Sequence, residues 1–186
     1  MKNKDKLNLL NLAREAIKSK LENKKFEVDT IKISNALKQK RATFVTLKNN
    51  GKLCGCIGHL VPVQSLCDDV LENACAAAFL DHRFDPLTKN EFDKIDIEIS
   101  VLNPSKKLEY SSLHSLIKNL EKNKPGVILK HNRRIATFLP QVWNELPSAE
   151  QFLSHLCLKA GLDYDEWTRE VEIETYTVEK ISLDFN

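Results

Sequence analysis

The sequence predicts an α+β fold with a mixed, largely antiparallel sheet flanked by helices. Two β-hairpins are evident, at residues 42–58 and 126–139, and strands joined by a hairpin pair antiparallel. Helical patterns interleave with the strands, but the two hairpins favour antiparallel pairing over a doubly wound parallel sheet. A length of 186 residues accommodates one domain, or one domain that carries a smaller subdomain.

The first half of the chain begins with a helix from about Asp5 to Glu22, where apolar residues recur at helical spacing. Ala42–Leu47 is rich in β-branched and aromatic residues and predicts a strand. Lys48–Lys52 predicts a turn, because Asn and Gly tolerate positive φ. Leu53–Gly58 is then the returning strand of the first hairpin.

A helix from about Ser65 to Leu80 follows the first hairpin. Its small residues at Ala74–Ala78 let a neighbouring backbone approach closely, so we expect tight packing on the sheet behind the hairpin. Apolar and polar residues alternate in Ile95–Leu102, which predicts a strand with one buried face.

The second half of the chain predicts four further elements. Ser148–Gln151 has the pattern of a capping box, which opens a helix that ends at Gly161. The other elements are a short helix at 113–120, the second hairpin with strands at 126–129 and 135–139, and a last strand at 171–175.

The composition of the chain argues against several classes of partner and location. The 28 basic and 26 acidic residues give a net charge of +2, which argues against a nucleic-acid or membrane partner. The sequence has no apolar run long enough for a secretory signal or a membrane span, so we expect a cytoplasmic protein. An odd number of cysteines, five, then indicates free thiols rather than a disulfide framework.

The strongest candidate for chemistry is the segment Leu53–Gly58, in which Gly55 and Gly58 frame Cys56. Glycine weakens a strand interior, but it exposes backbone amides and leaves room for a ligand. Cys56 is therefore a candidate nucleophile, with nearby N–H groups available to a developing oxyanion. The alternative is a small buried cysteine at a tight contact between sheet and helix, with glycines for clearance.

Two further interpretations concern neighbours of Cys56. Cys54 lies two residues away and shares a strand face with Cys56 if the strand is regular, but a second ligand pair for a metal is missing. We therefore predict no metal site. His59 is read as a surface or loop histidine, since a base three residues from Cys56 requires a sharp turn at Gly58.

A polar cluster after the second helix, Asp81–Asp85, combines a cation, an imidazole and two carboxylates. One interpretation is that it binds an anionic ligand or orients a catalytic group. The alternative is that it ends the helix, with Arg83 paired to Asp85 and Phe84 in the core. Gln141 is a polar candidate for ligand contact beside Trp143. The sequence has no phosphate loop and no nucleotide fingerprint, so no cofactor is predicted.

Three stretches of the chain resemble the AMMECR domain family, called AmmeMemoRadiSam system protein A in bacteria and archaea. Leu53–Gly58 is similar to the family hexapeptide L-R-G-C-I-G, and the resemblance runs from about Leu7 to Val178. The other two stretches are Ala76–Leu87, which runs into Ile97–Leu102, and Ala136–Trp143, with Leu146–Pro147 and the helix end at 159–162.

The resemblance implies a single AMMECR-like domain over residues 1–186, with a larger sheet-and-helix part and a smaller subdomain. It also implies two partners, a Memo-like protein and a radical S-adenosylmethionine protein, in a modification system of unknown substrate. We expect Cys56 to be the reactive centre, and Gly55, Gly58, Arg83, Asp85 and Gln141 to bind substrate.

Two departures from the family pattern bear on the mechanism. Cys54 stands where the family has arginine, a residue that can bind an anion or stabilise a thiolate. His59 stands where the family usually has threonine. The alternative function is a non-catalytic protein-binding module for the same partners, in which the signature strand and Gln141–Trp143 form the docking surface.

Overall fold

Strands β1 (Thr43–Asn49) and β2 (Lys52–Gly58) form the first hairpin of the computed structural model, which describes residues 1–26, 33–169 and 171–182. The register pairs Thr46 with Cys56 and Leu47 with Gly55. Asn50 and Gly51 have positive φ at the tip, a conformation that these residue types adopt readily. The predicted strand-turn-strand unit is therefore confirmed.

The first sheet has the strand order β2-β1-β3-β8, where β3 is Ile95–Leu102 and β8 is Val178–Ser182. β3 pairs antiparallel with β1 from Ile95 to Val101, and places Glu98 opposite Thr46 and Ile99 opposite Val45. β8, the last strand among the described residues, thus completes the sheet that the first hairpin began.

Two helices cover one face of the first sheet: α1 (Asn3–Leu21) and α2 (Leu66–Phe79). They contact each other, and α2 also contacts β1 and β2. Ser65 caps α2 by accepting the N–H of Asp68, as Ser does at helix starts. The core between helices and sheet includes these fully buried side chains: Leu9, Ile17, Leu47, Val70 and Ile99.

The second sheet has the order β4-β7-β5-β6 and antiparallel pairings throughout. Two helices accompany it, α3 (Leu113–Asn123) and α4 (Ala149–Lys159). In its core, the Trp143 ring stacks on Phe152 with centroids 4.0 Å apart. Its strands are β4 (Lys106–Lys107), β5 (Gly126–His131), β6 (Arg134–Phe138) and β7 (Glu172–Tyr176).

The α+β class is confirmed, but the strands form two separate four-stranded sheets within the described ranges rather than one. The chain accordingly divides into two compact units. The first unit comprises Met1–Leu102 and Glu179–Asn186, and the second unit comprises Asn103–Val178. In the part of the chain that the structure describes, none of the helices has the length and apolarity that crossing a bilayer requires.

The capping box predicted at Ser148 is wrong. Ser148 precedes α4, but its side chain makes no cap hydrogen bond. Instead, Glu121 Oε1 of α3 accepts the N–H of Ala149 at 3.1 Å. The capping box lies at α3, where Ser112 Oγ accepts the N–H of Ser115 and Ser115 Oγ accepts the N–H of Ser112. A tertiary contact thus replaces the local cap at α4.

Candidate functional site

Gly55 and Gly58 frame Cys56 because larger residues do not fit there. A Cβ at Gly55 would lie 2.1 Å from the carbonyl oxygen of Ala77 in α2. A Cβ at Gly58 would lie 2.3 Å from the carbonyl oxygen of Thr43 and 2.4 Å from the Phe44 ring. Both distances are far below van der Waals contact. The glycines therefore provide clearance, and the predicted tight packing of α2 behind the hairpin is confirmed.

The backbone of Cys56 is held by a carboxylate from the loop after α2. Asp81 is buried, and its Oδ2 accepts the backbone N–H of Cys56 at 2.9 Å. A carboxylate that accepts from a backbone amide forms a charge-assisted hydrogen bond, which is stronger than a neutral one. Asp81 thus fixes the position of Cys56 at the open edge of β2.

Arg83 completes this contact from the same loop. Its Nε and NH2 donate to the two oxygens of Asp81 at 2.9 and 2.7 Å, and NH2 also donates to the Cys56 carbonyl at 3.0 Å. The hydrogen bond from Arg83 holds the pKa of Asp81 well below its usual range. The pKa of Arg83 is raised, mainly by Asp81, with a smaller contribution from the Cys56 side chain.

The Cys56 thiol is half-buried and lies beside a buried hydroxyl. Its Sγ is 3.4 Å from Thr46 Oγ1. Gly55 faces α2, and neighbouring residues of a strand point to opposite faces, so the thiol points to the face away from α2. On that face, Thr46 pairs with Glu98, whose carboxylate forms an ion pair with Lys180 at 3.4 Å. The thiol therefore has polar surroundings rather than an apolar core.

The expectation that Cys54 and Cys56 share a strand face is wrong, because the strand is not regular. The register shifts between Leu47 and Lys48, which leaves Cys54 as an extra residue in β2. Cys54 packs against the core of the first unit, and burial raises the pKa of its thiol. Within the described ranges, no group of three or more metal-ligating side chains is assembled.

His59 lies on the opposite side of the sheet from the Cys56 thiol. Its Nδ1 is 2.7 Å from Asp69 Oδ1 in α2, and its backbone N–H donates to Thr43. Cys56 and His59 are three positions apart in extended chain, so their side chains point to opposite faces. The two residues do not form a nucleophile–base pair.

The cluster Asp81–Asp85 ends the helix differently from the expected arrangement. Arg83 pairs with Asp81 rather than Asp85, and Asp85 is exposed. Phe84 is half-buried, with the Arg83 guanidinium 5.3 Å from the centre of its ring. Of the predicted site residues, Gly55, Cys56, Gly58 and Arg83 thus lie together in the first unit.

Gln141 and Trp143 belong to the second unit, in the short 3-10 helix Pro140–Asn144. Gln141 Oε1 is buried and accepts no hydrogen bond from the described residues. Trp143 is 2% exposed and donates its indole N–H to the Pro125 carbonyl at 2.7 Å. Trp143 is therefore a core residue, and it does not offer a docking surface.

Comparison with known proteins identifies the family. The sequence pattern of the AMMECR1 family matches residues 10–181, nearly the whole chain. The chain belongs to the AMMECR1 family. The crystal structure of the uncharacterised protein PH0010 from Pyrococcus horikoshii superposes on this AMMECR1-family chain with a TM-score of 0.87, at 30% identity and with 97% of this chain and 92% of that chain covered.

Archaeal proteins are similar to this AMMECR1-family chain over most of their own length. Protein MK0488 from Methanopyrus kandleri is 40% identical, with 86% of this chain and 78% of that protein covered. Protein NEQ441 from Nanoarchaeum equitans is 35% identical, with 93% and 96% covered. These names state no activity, so a function for the AMMECR1 fold must be inferred from the site.

Sequence reasoning missed the central role of Asp81 at this AMMECR1 site. The signal was present, since Asp81 belongs to the same polar cluster as Arg83. Sequence spacing cannot tell which of two nearby carboxylates an arginine contacts. The answer depends on the loop geometry after α2, which places Asp81 against the amide of Cys56.

Proposed function

We propose that this chain is a component of a modification system in which the Cys56 thiol is the reactive centre. The observation that supports this proposal is the contact of Arg83 with Cys56: its guanidinium donates to the carbonyl of Cys56 at 3.0 Å. A nearby cation stabilises a thiolate, which is the nucleophilic form of cysteine. The family hexapeptide has an arginine where this chain has Cys54. Arg83 thereby supplies a positive charge that the hexapeptide of this chain lacks.

In this proposal, Asp81, Arg83 and Thr46 have different roles. Asp81 positions the Cys56 backbone, and Arg83 stabilises negative charge at Cys56 while it is itself anchored by Asp81. Thr46 Oγ1, at 3.4 Å, is placed to exchange a hydrogen bond with the sulfur. Because half of the Arg83 side chain is exposed, an anionic substrate group can also bind it. Asp85 and Gln141 remain predicted binding residues.

Alkylation of the native protein tests the thiol. Iodoacetamide at neutral pH is expected to modify Cys56 before unfolding, with the site mapped by mass spectrometry. Arg83→Gln should slow this modification about tenfold, because it removes the charge and keeps an amide donor. The matched control is Arg41→Gln, since Arg41 also donates to a backbone carbonyl, that of Leu102. Alkylation of Cys56 only after the protein is unfolded would contradict the proposal.

The partners that we propose are a Memo-like protein and a radical S-adenosylmethionine protein. Membership of the AMMECR1 family supports this proposal. Size-exclusion chromatography of the purified chain with each purified partner tests it. Co-elution with either partner supports the proposal, whereas separate elution from both at micromolar concentrations contradicts it.

A non-catalytic protein-binding module is the second candidate function. Large apolar side chains are exposed on and after β2: Leu53 at 44%, Val61 at 64% and Val63 at 58%. Exposed apolar residues beside a signature strand are typical of a docking surface. Under this alternative, Val61→Asp with Val63→Asp abolishes partner binding, and Cys56→Ala changes neither binding nor the activity of the assembled system. Loss of activity in Cys56→Ala with binding intact favours the reactive thiol.

A further inference from the structure

We propose that His59 and Asp69 form a second reactive centre, in which His59 Nε2 is the general base and Asp69 is its positioning residue. This centre is independent of the proposed chemistry at Cys56, since it lies on the other side of the sheet. Asp69 Oδ1 is 2.7 Å from Nδ1 of His59. The ring lies just after β2, and the carboxylate lies in the first turn of α2.

The Asp69 carboxylate is buried and accepts several hydrogen bonds. Its side chain is 0% exposed. Oδ2 accepts from the backbone N–H of Thr43 at 2.8 Å, from Thr43 Oγ1 at 2.6 Å and from Asn73 Nδ2 at 3.0 Å. Gln64 Nε2 lies 3.4 Å from Oδ1. Across the described ranges, His59 is the only basic side chain in an ion pair with Asp69.

These contacts determine which ring nitrogen carries the proton. An ionised carboxylate only accepts hydrogen bonds, so His59 Nδ1 is the donor in its 2.7 Å contact with Asp69. Asn73 Nδ2 also lies 3.5 Å from Nδ1, but it donates at the shorter distance of 3.0 Å to Asp69 Oδ2. In the neutral ring, Nε2 is then the unprotonated nitrogen and a proton acceptor. The described residues make no hydrogen bond to Nε2, and the His59 side chain is 36% exposed. A carboxylate that accepts from Nδ1 fixes the tautomer and the orientation of the ring.

The charges around His59 indicate the class of substrate. Gln64 connects Asp69 to a second carboxylate, since its Nε2 donates to Glu72 Oε2 at 2.6 Å. These acidic groups repel a phosphate or carboxylate and favour a neutral or cationic substrate. In the proposed step, Nε2 takes the proton of a hydroxyl group or water as its oxygen attacks carbon. The resulting imidazolium stays paired with Asp69 and returns the proton to the leaving group.

If the role of His59 is purely structural, a different reactivity of its ring is expected. The same hydrogen bonds join α2 to β1 and β2, and a purely structural His59 would be no more reactive than an ordinary exposed histidine. The chain supplies that reference in His82, which is exposed and has no hydrogen bond among the described residues. Comparison of the two imidazoles within one molecule needs no variant and no assumption about folding.

Diethyl pyrocarbonate, followed by peptide mass spectrometry, measures the two rates at a mildly alkaline pH. We expect His59 to react about fivefold faster than His82, although it is less exposed, because the hydrogen bond to Asp69 holds Nε2 as the unprotonated nitrogen. In Asp69→Asn this advantage should disappear while the rate at His82 stays the same. Equal or slower reaction of His59 in the wild-type chain overturns the proposal.

Hydrolysis of 4-nitrophenyl acetate, a neutral ester, tests the catalytic step. In a Cys56→Ala background, which removes acylation of the proposed reactive thiol by the same ester, the rate should fall about tenfold in His59→Gln and remain unchanged in His82→Gln, because only His59 of the two has a positioned Nε2. Equal rates in the two variants contradict the general-base role. Cys56→Ala should leave the rate of diethyl pyrocarbonate modification at His59 unchanged, which separates this proposal from the one for the thiol.

Discussion

Asp81 Oδ2 accepts the backbone N–H of Cys56 at 2.9 Å, although the two residues are 25 positions apart in sequence. The same carboxylate accepts hydrogen bonds from Nε and Nη2 of Arg83. One buried anion thus positions the cysteine and anchors the cation beside it. This relationship connects the signature strand to the polar loop after α2, two motifs that are separate in the sequence.

Asp81→Asn is expected to destabilise the native state by about 2 kcal/mol at neutral pH, because it weakens hydrogen bonds to a charged group. The folded-state pKa of Asp81 is depressed, so its contribution is present above the unfolded pKa and is lost as pH falls through the folded pKa. The difference between wild type and variant, measured by urea denaturation, should therefore shrink below about pH 4. A difference that grows at acidic pH would contradict the charged contact.

Gly55→Ala is expected to cost about 3 kcal/mol of stability, because its Cβ would overlap the carbonyl of Ala77 and force α2 away from β2. Gly51→Ala is the matched control. Gly51 has φ of +76° and free space around its Cβ position, so the cost there is about 1 kcal/mol of backbone strain. Thermal denaturation of both variants gives the comparison. A similar loss of stability in Gly55→Ala and Gly51→Ala would contradict the expectation that close packing of α2 on β2 requires glycine at position 55.

Tyr176 is expected to ionise well above the ordinary tyrosine pKa of about 10. Burial raises its pKa to about 12, and its hydroxyl lies 2.9 Å from Thr137 Oγ1. Because the folded pKa is raised, its contribution is complete below the unfolded pKa of about 10 and is lost as pH rises towards 12. Ultraviolet titration should show this late step in the wild type and not in Tyr176→Phe.

Gln141→Met is expected to change stability by less than about 1 kcal/mol, or to raise it, because the buried Oε1 has no partner in the described structure. Gln64→Met is the control, since it removes an amide that donates to Glu72 at 2.6 Å, and it should be destabilising. Urea denaturation measures both. If Gln141→Met destabilises more than Gln64→Met, Oε1 is satisfied by a group outside the described residues.

The sequence predicted local elements well where one pattern dominates. The first hairpin was predictable because Asn50 and Gly51 tolerate positive φ and follow a β-branched and aromatic run. The helix from about Ser65 to Leu80 was predictable from its composition, and the structure adds that Ser65 caps it. In contrast, Ser148 has the pattern of a cap, but its side chain makes no cap hydrogen bond, and Glu121 of α3 accepts the first N–H of the helix, that of Ala149. A local pattern does not show which tertiary contacts supply the hydrogen bonds at a helix end.

The candidate site shows the same division. Cys56 and its two glycines were predictable from the sequence, since glycine in a strand requires a reason. The reason for each glycine came from tertiary packing, where Ala77 and Phe44 leave no room for a Cβ. The bulge that separates Cys54 from Cys56 was also hidden, because a one-residue shift in strand register leaves no mark in a single sequence.

The α+β class, the family resemblance and the identity of the signature thiol could all be obtained from the sequence, because they depend on local pattern and composition. Three features emerged only once the chain was folded: Arg83 pairs with Asp81, Trp143 is core, and His59 turns away from Cys56. Hydrogen-bond partners are selected by distance and direction in space. A sequence records which donors and acceptors exist, whereas the fold determines which of them meet.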